Sequence, residues 1–259
     1  MIKIRKKDEA KIVIESDDSG ILREISEYFT FYVEGYQYIP AYKSKMWDGK
    51  IRLFDMRSHQ LPFGLLGKVA EFASARKYEL VVDPDIRPTL SATDEELDEF
   101  VKNLPLCSGG NAIQARDYQV DAFKKATQSQ RAILLSPTGS GKSLIIYMLS
   151  RYFLSKDMDR KVLIVVPTTS LVEQMTKDFA DYSLNDSEFD VEEEVHKIYS
   201  GKEKFDIEAS IVITTWQSAI KLPLSWFEAY GMIVGDEAHT FKAKSLTTIM
   251  DRLSKAYVR

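Results

Sequence analysis

The chain has 259 residues, 44% of them hydrophobic and 29% charged, the balance of an ordinary globular protein of one or two domains. No apolar run reaches the roughly 20 residues that cross a bilayer, and the basic first seven residues lack the apolar stretch of a signal peptide. A net charge of −4 gives no support for nucleic-acid binding through bulk charge; the single cysteine, Cys107, excludes an internal disulfide and zinc sites built on paired cysteines, and fits a reducing, intracellular setting.

Residues 11–15 read as a strand. Residues 20–28 read as a helix, with Ile21, Leu22 and Ile25 at helical spacing and Asp17, Asp18 or Ser19 as its cap. Residues 42–47 and 50–54 flank Asp48-Gly49, a pair that predicts a tight hairpin because the primed turn needs positive φ. Residues 65–77 predict a second helix, and residues 80–82 a strand closed by Asp83-Pro84. Residues 1–90 thus form a small α+β domain. In the predicted hairpin Lys43, Lys45 and Trp47 share one face, and Lys50 and Arg52 share a face of the second strand. A basic hairpin with aromatics suits phosphate contacts and stacking on a base. The same pattern also describes a hairpin with one packed face and one solvated, charged face. Lys3, Arg5, Lys6 and Lys7 read as a mobile terminus.

Residues 91–110 read as a linker. Thr93-Asp94-Glu95-Glu96 opens an acidic helix that Pro105 ends, and Ser108-Gly109-Gly110 reads as a flexible joint. From residue 111 to 259 strand and helix patterns alternate. Residues 132–135, 162–166, 211–215 and 232–234 are near-continuous apolar runs, as in a parallel sheet covered on both faces. Such a sheet carries its ligand at the carboxyl ends of the strands.

The most informative segment follows the apolar run 132–135. Ser136, Pro137, Thr138, Gly139, Ser140, Gly141, Lys142 and Ser143 form a glycine loop that leads into a helix. The two glycines let backbone N–H groups wrap phosphate oxygens, and the helix N-terminus faces the same anion. Lys142 would neutralise β and γ phosphates, and the Ser143 hydroxyl would ligate Mg²⁺. Ser136 stands where the usual loop begins with glycine. Downstream, an apolar strand ends in Asp236-Glu237-Ala238-His239. Asp236 suits Mg²⁺, and Glu237 suits the orientation and deprotonation of a water. His239 is either a surface residue or a link to a second motor domain. Arg116, Tyr118 and Gln119 open an amphipathic helix. Gln119 has the donor and acceptor to read adenine, and Tyr118 or Arg116 can stack on it.

In this order the segments resemble the motifs of superfamily 2 helicases. Arg116-Asp117-Tyr118-Gln119 resembles the Q motif, residues 136–143 motif I and Asp236-Glu237-Ala238-His239 motif II. Residues 167–174, beginning Pro167-Thr168-Thr169, resemble motif Ia, and Thr214-Thr215-Trp216-Gln217 resembles the next nucleic-acid-contacting motif. The resemblance implies a RecA-like parallel-sheet motor domain that uses ATP and Mg²⁺. It also implies that Pro167, Thr168, Thr169, Thr214 and Thr215 hold a nucleic-acid backbone, although Thr169 or Ser170 equally suits a helix cap. The whole chain further resembles a helicase family of T-even bacteriophages, which implies action on branched DNA and on R-loops with their RNA–DNA hybrids, in recombination, replication and repair, within the host cytoplasm. The DEAH spelling is shared with RNA helicases, so an RNA helicase, a duplex translocase or a nucleotide-gated binding module are the alternatives. No motif III or IV to VI follows, and the family's second RecA-like domain supplies arginine fingers worth roughly 10³–10⁵ in rate. The 259 residues alone are therefore expected to bind nucleotide weakly, hydrolyse it hardly at all and unwind nothing.

Overall fold

The computed structural model describes residues 1–86, 92–137, 139–199, 208–240 and 243–259. The chain divides into two compact units, Met1–Arg87 and Pro88–Arg259.

The first unit contains β1 (Ile2–Lys6), β2 (Lys11–Glu15), α1 (Ser19–Tyr28), β3 (Thr30–Tyr32), α2 (Pro40–Lys43), β4 (Lys50–Arg52), β5 (Gln60–Pro62), α3 (Leu66–Arg76) and β6 (Leu80–Val82). Its main sheet has the order β5-β2-β1-β6. Residues alternate in and out along β1 and β2, so Ile2, Ile4, Ile12 and Ile14 are fully buried. They pack with Ile25 of α1 and Val69 and Phe72 of α3. Asp18 caps α1 by accepting from the Gly20 N–H at 2.7 Å. The reading of residues 3–7 as a mobile terminus is overturned: β1 is an interior strand, paired antiparallel to β2 and parallel to β6. The Ile-Lys-Ile-Arg alternation carries that strand, with the charges on its outer face.

The hairpin expected across Asp48-Gly49 is also corrected. The turn itself is present: Gly49 has φ +79°, and the Asp48 carboxylate accepts the Lys50 N–H at 3.1 Å. Its first arm is not a strand. Pro40 opens the short helix α2 instead, with proline's fixed φ suiting the first helical position. β4 pairs with β3, placing Tyr32 opposite Lys50 and Phe31 opposite Ile51. Lys43, Lys45 and Trp47 therefore do not share a strand face, whereas Lys50 and Arg52 do.

The second unit contains α4 (Asp94–Asn103), β7 (Cys107–Ser108), β8 (Asn111–Ala112), α5 (Asp117–Ser129), α6 (Lys142–Lys156), β9 (Lys161–Val166), α7 (Thr169–Tyr182), α8 (Val191–Glu194), β10 (Val195–Ile198), β11 (Ile211–Thr215), α9 (Trp216–Ala219), β12 (Tyr230–Gly235) and α10 (Ala243–Arg252). The sheet β10-β11-β9-β12 is parallel throughout. Val162 through Val166 are fully buried, because helices cover both faces. Ile164 and Ile213 face the layer that includes Phe123, Tyr147 and Phe179, while Leu163 and Val212 face Phe227, Ile249 and Leu253. This is the expected α/β architecture, and it brings the loops after β9, β11 and β12 to one edge.

Helix α4 is capped by Thr93 as its sequence predicts, the side chain accepting from Glu96 N at 3.2 Å. It packs into the second unit rather than spanning between units. Leu97 is fully buried there, Glu96 pairs with Lys156 at 2.5 Å, and Asp98 pairs with Lys124 at 2.6 Å. Gly109 and Gly110, with φ +58° and +79°, form the tip of the hairpin β7–β8. The Asp181 carboxylate accepts from Gly109 N at 2.9 Å and from the Ser108 hydroxyl at 3.1 Å. The expected flexible joint is thus a clasped turn.

Residues 132–135, expected as a strand, are not in the sheet. A strand needs backbone partners beside it, and among the described residues it is 257–258 that bond to β12 here: Tyr257 N donates to Gly231 O at 2.9 Å, Val258 bridges to Met232, and Ala132 N donates to Arg259 O at 3.0 Å. Ile133 and Leu135 are 91% and 95% exposed. No described helix is long and apolar enough to cross a membrane.

Candidate nucleotide-binding site

The glycine loop enters α6 through Gly141, whose φ of +77° is open to glycine and strained for other residues. Gly139 has φ +78°. Thr138, between Pro137 and Gly139, lies outside the described residues. The loop is closed from inside. Ser136 and Ser140 share a hydroxyl hydrogen bond, and Ser140 Oγ also donates to the Pro137 carbonyl at 2.8 Å.

The start of α5 straps this loop. Gln119 is nearly buried, at 5% exposure, and both ends of its amide are used. Its Oε1 accepts from Arg116 N at 2.9 Å, and its Nε2 donates to Ser140 O at 3.0 Å. Tyr118 Oη donates to the same carbonyl at 2.9 Å, with Arg116 Nη1 3.4 Å from that hydroxyl. The Gln119 amide thus ties the helix start to the loop, a contact that its residue type and spacing did not reveal. A Cβ on Gly141 would stand 2.3 Å from Gln119 Nε2, so the glycine is needed for contact as well as for conformation.

Lys142 reaches from the loop to Glu237 at the end of β12, with Nζ 3.0 Å from Oε1. Lys142 also lies 3.5 Å from the Ser136 carbonyl. Hydrogen bonding from Lys142 holds the Glu237 carboxyl below its ordinary pKa. Asp236 has the opposite environment. Burial first, and then the neighbouring Glu237 charge, push its carboxyl up. Glu237 has a left-handed φ of +50°, and its N–H donates to Asp236 Oδ1 at 3.0 Å. His239 Nδ1 lies 3.5 Å from Glu237 Oε2 and the side chain is 77% exposed. Lys142, Asp236 and Glu237 share the wall of a cavity of about 410 Å³.

Asp236 and Ser143 offer one carboxylate and one hydroxyl. Hard oxygen donors of this kind suit Mg²⁺ when phosphate oxygens and water complete its shell. The upward-shifted Asp236 fits this, because a cation beside it offsets the cost of its buried charge. Among the described residues no cluster of three or more His, Cys, Asp or Glu competes as a metal centre. Ser143 Oγ lies 2.9 Å from the Tyr182 hydroxyl at the end of α7.

The expected nucleic-acid contacts divide. Thr168 caps α7, accepting from Leu171 N at 3.3 Å, and Thr168 and Thr169 are exposed at its open N-terminus. Pro167 is half-buried, and its carbonyl accepts from Gln217 at 3.3 Å. Thr214 is fully buried with its hydroxyl donating to Ile198 O at 2.8 Å, and Thr215 is 4% exposed with its hydroxyl donating to Ser218 at 3.1 Å. Both hydroxyls are thus engaged within the fold. In the first unit Lys43, Lys45 and Arg52 are exposed and Trp47 and Lys50 half-buried. Lys50 sits 4.9 Å over Tyr32, and Arg52 pairs with Asp48, whose carboxyl is held at about 2 chiefly by that contact. Tyr32 and Tyr38, missed from the sequence, are exposed at 53% and 74%; the aromatic run around Gly35 was the available signal.

A covered parallel sheet, a glycine loop feeding a helix and an acidic pair at a strand's carboxyl end define a RecA-like nucleotide-binding unit, preceded in sequence by a small α+β unit. Residues 112–258 match the family described as type III restriction enzyme, res subunit, and residues 1–83 match DNA helicase UvsW, N-terminal. The chain belongs to the UvsW helicase family, with a motor unit of the restriction-enzyme res-subunit type. The ATP-dependent DNA helicase uvsW of Enterobacteria phage T4 is 35% identical over 256 residues, 98% of this chain and 49% of that protein. A crystal structure of the UvsW helicase from bacteriophage T4 matches with a TM-score of 0.88 at 35% identity, over 99% of this chain and 89% of that one. The DNA 3'-5' translocase XPB2 of Sulfurisphaera tokodaii is 25% identical over 174 residues, 67% of this chain and 36% of that protein. The chain thus spans about half the length of the phage relative.

Proposed function

We propose that the chain is the front part of an ATP-dependent DNA helicase that remodels branched DNA and R-loops in recombination, replication and repair, inside the host cytoplasm. The observation that carries this reading is the 3.0 Å pairing of Lys142 with Glu237, which joins the phosphate loop to the acidic strand end. Two relatives, a DNA helicase and a DNA translocase, support DNA as the partner.

In this reading Lys142 leaves Glu237 for the β and γ phosphates, and Gly139, Ser140 and Gly141 present backbone N–H groups to them. Glu237, freed of its partner, takes a proton from the water that attacks the γ phosphorus, as the bond to the bridging oxygen breaks and ADP leaves. Ser143 and Asp236 would hold Mg²⁺, which would supply neutralisation of charge on the phosphate oxygens. Tyr118 and Arg116 stack on the base, while Gln119 keeps the loop in shape. His239, exposed beside Glu237, faces a second RecA-like domain of the parent protein. The open N-terminus of α7 at Thr168 and Thr169 takes a backbone phosphate. The first unit, through Lys43, Lys45, Trp47, Lys50 and Arg52 with Tyr32 and Tyr38, engages the junction or the RNA–DNA hybrid.

The test is steady-state ATP hydrolysis by the chain with both motor domains, with Lys142→Ala as control, on forked DNA, linear duplex, single-stranded DNA and single-stranded RNA. Forked DNA is expected to stimulate most, and Lys142→Ala to abolish the stimulated rate. Strongest stimulation by RNA would make it an RNA helicase, and stimulation by linear duplex alone a translocase. For the first unit, replacing Lys43, Lys45, Lys50 and Arg52 by Ala is expected to flatten the log–log salt dependence of DNA binding by about 0.9 for each phosphate that is no longer neutralised. An unchanged slope in a salt titration would return these residues to a solvated surface.

A further inference from the structure

Tyr182 is outside every motif noted above, yet its hydroxyl meets the phosphate loop's serine. Ser143 Oγ and Tyr182 Oη are 2.9 Å apart, across the packing of α6 on α7. The tyrosine ring is fixed from the other side by Tyr147 of α6, with ring centroids 5.7 Å apart, and Tyr147 is itself buried against Phe179 of α7. The phenol oxygen is therefore held in place by packing rather than placed by chance on a mobile side chain. A serine hydroxyl has one proton and two lone pairs. An oxygen that faces a cation turns its proton away from it, and the acceptor within reach of Ser143 is Tyr182 Oη.

We infer that Tyr182 is a positioning residue for Ser143: its hydroxyl accepts the Ser143 proton and so aims the Ser143 lone pairs at the nucleotide's metal ion. The inference rests on the nucleotide-site reading above. It gives α7 two ends with separate duties. Thr168 and Thr169 stand at the end proposed for the nucleic-acid backbone, and Tyr182 closes the end that orients the loop. Tyr182→Phe removes the acceptor and keeps the ring, so the packing on Tyr147 survives. Ser143 is then left to sample its rotamers, and its oxygen faces the metal only part of the time.

The experiment is a titration of the 259-residue chain with fluorescent ADP, once with Mg²⁺ and once with EDTA. Tyr182→Phe is expected to weaken binding about three- to tenfold with Mg²⁺, the scale of one hydrogen bond, and to leave binding in EDTA unchanged. The double variant Ser143→Ala/Tyr182→Phe is expected to bind no more weakly with Mg²⁺ than Ser143→Ala alone, because both changes disable the same ligand. Wild-type affinity, or tighter binding, in Tyr182→Phe with Mg²⁺ would overturn the inference. So would an equal loss in EDTA, which a merely structural role produces, or full additivity in the double variant. A wild-type chain that binds no nucleotide, or binds it without regard to Mg²⁺ or Lys142, would instead overturn the site reading itself.

Discussion

Gly141→Ala is expected to abolish nucleotide binding and to lower stability by about 2–5 kcal/mol. Two costs add. An L-residue at φ +77° costs about 1–2 kcal/mol through clash of its Cβ with the backbone. The new methyl also meets Gln119 Nε2 at 2.3 Å. That amide has no room to retreat without breaking its bonds to Arg116 N and Ser140 O, each worth about 0.5–1.5 kcal/mol. Gly139→Ala is the control. Its φ is equally positive, +78°, but a Cβ there meets nothing within 4 Å, so only the conformational cost applies. Thermal melts and nucleotide titrations of both variants separate the two effects. A Gly141→Ala chain no worse than Gly139→Ala would show that Gln119 does not strap the loop.

Glu237→Gln is expected to split binding from chemistry. The 3.0 Å pair with Lys142 must open before phosphate takes the lysine, and a partly exposed ion pair is worth about 0.2–1 kcal/mol. Removing the charge frees Lys142, so the nucleotide is expected to bind about two- to fivefold more tightly. Hydrolysis by the proposed longer protein with a second motor domain is expected to fall by about 10²–10⁴, the usual contribution of a positioned general base. Binding measured on this chain and steady-state turnover on the longer one check the two halves. Weaker binding in the variant would mean that Glu237 assists the phosphates rather than competing for Lys142.

The parts of the site that lie close in sequence were legible from it. Residues 136–143 declare themselves because glycines, lysine and serine act within one turn, and Asp236-Glu237 because an apolar strand delivers both. The parallel sheet was legible from β9 and β11, whose residues are apolar on both faces. Features set by distant partners were not. Asp48-Gly49 makes the turn that its sequence demands, but the choice of β3 as partner for β4 is tertiary. Thr214 and Thr215 sit at a strand end, as a phosphate ligand would, yet neighbours from β10 and α9 use their hydroxyls. Gln119 and Tyr182 owe their roles to helix packing that no spacing in the sequence encodes. β1 was a missed opportunity, since Ile2 and Ile4 already alternate with Lys3 and Arg5.

The left-handed backbone at Glu237 has a consequence for how this protein can be improved. A glycine would adopt φ +50° without strain, and its arrival would relieve the buried Asp236 carboxyl of a neighbouring negative charge, against the loss of the ion pair with Lys142. The residue proposed for the chemistry is therefore one whose backbone conformation works against the fold. A screen that rewards heat resistance alone should enrich for changes at this position and return sturdy, inert molecules. Under the proposed function, selection for turnover keeps the glutamate there.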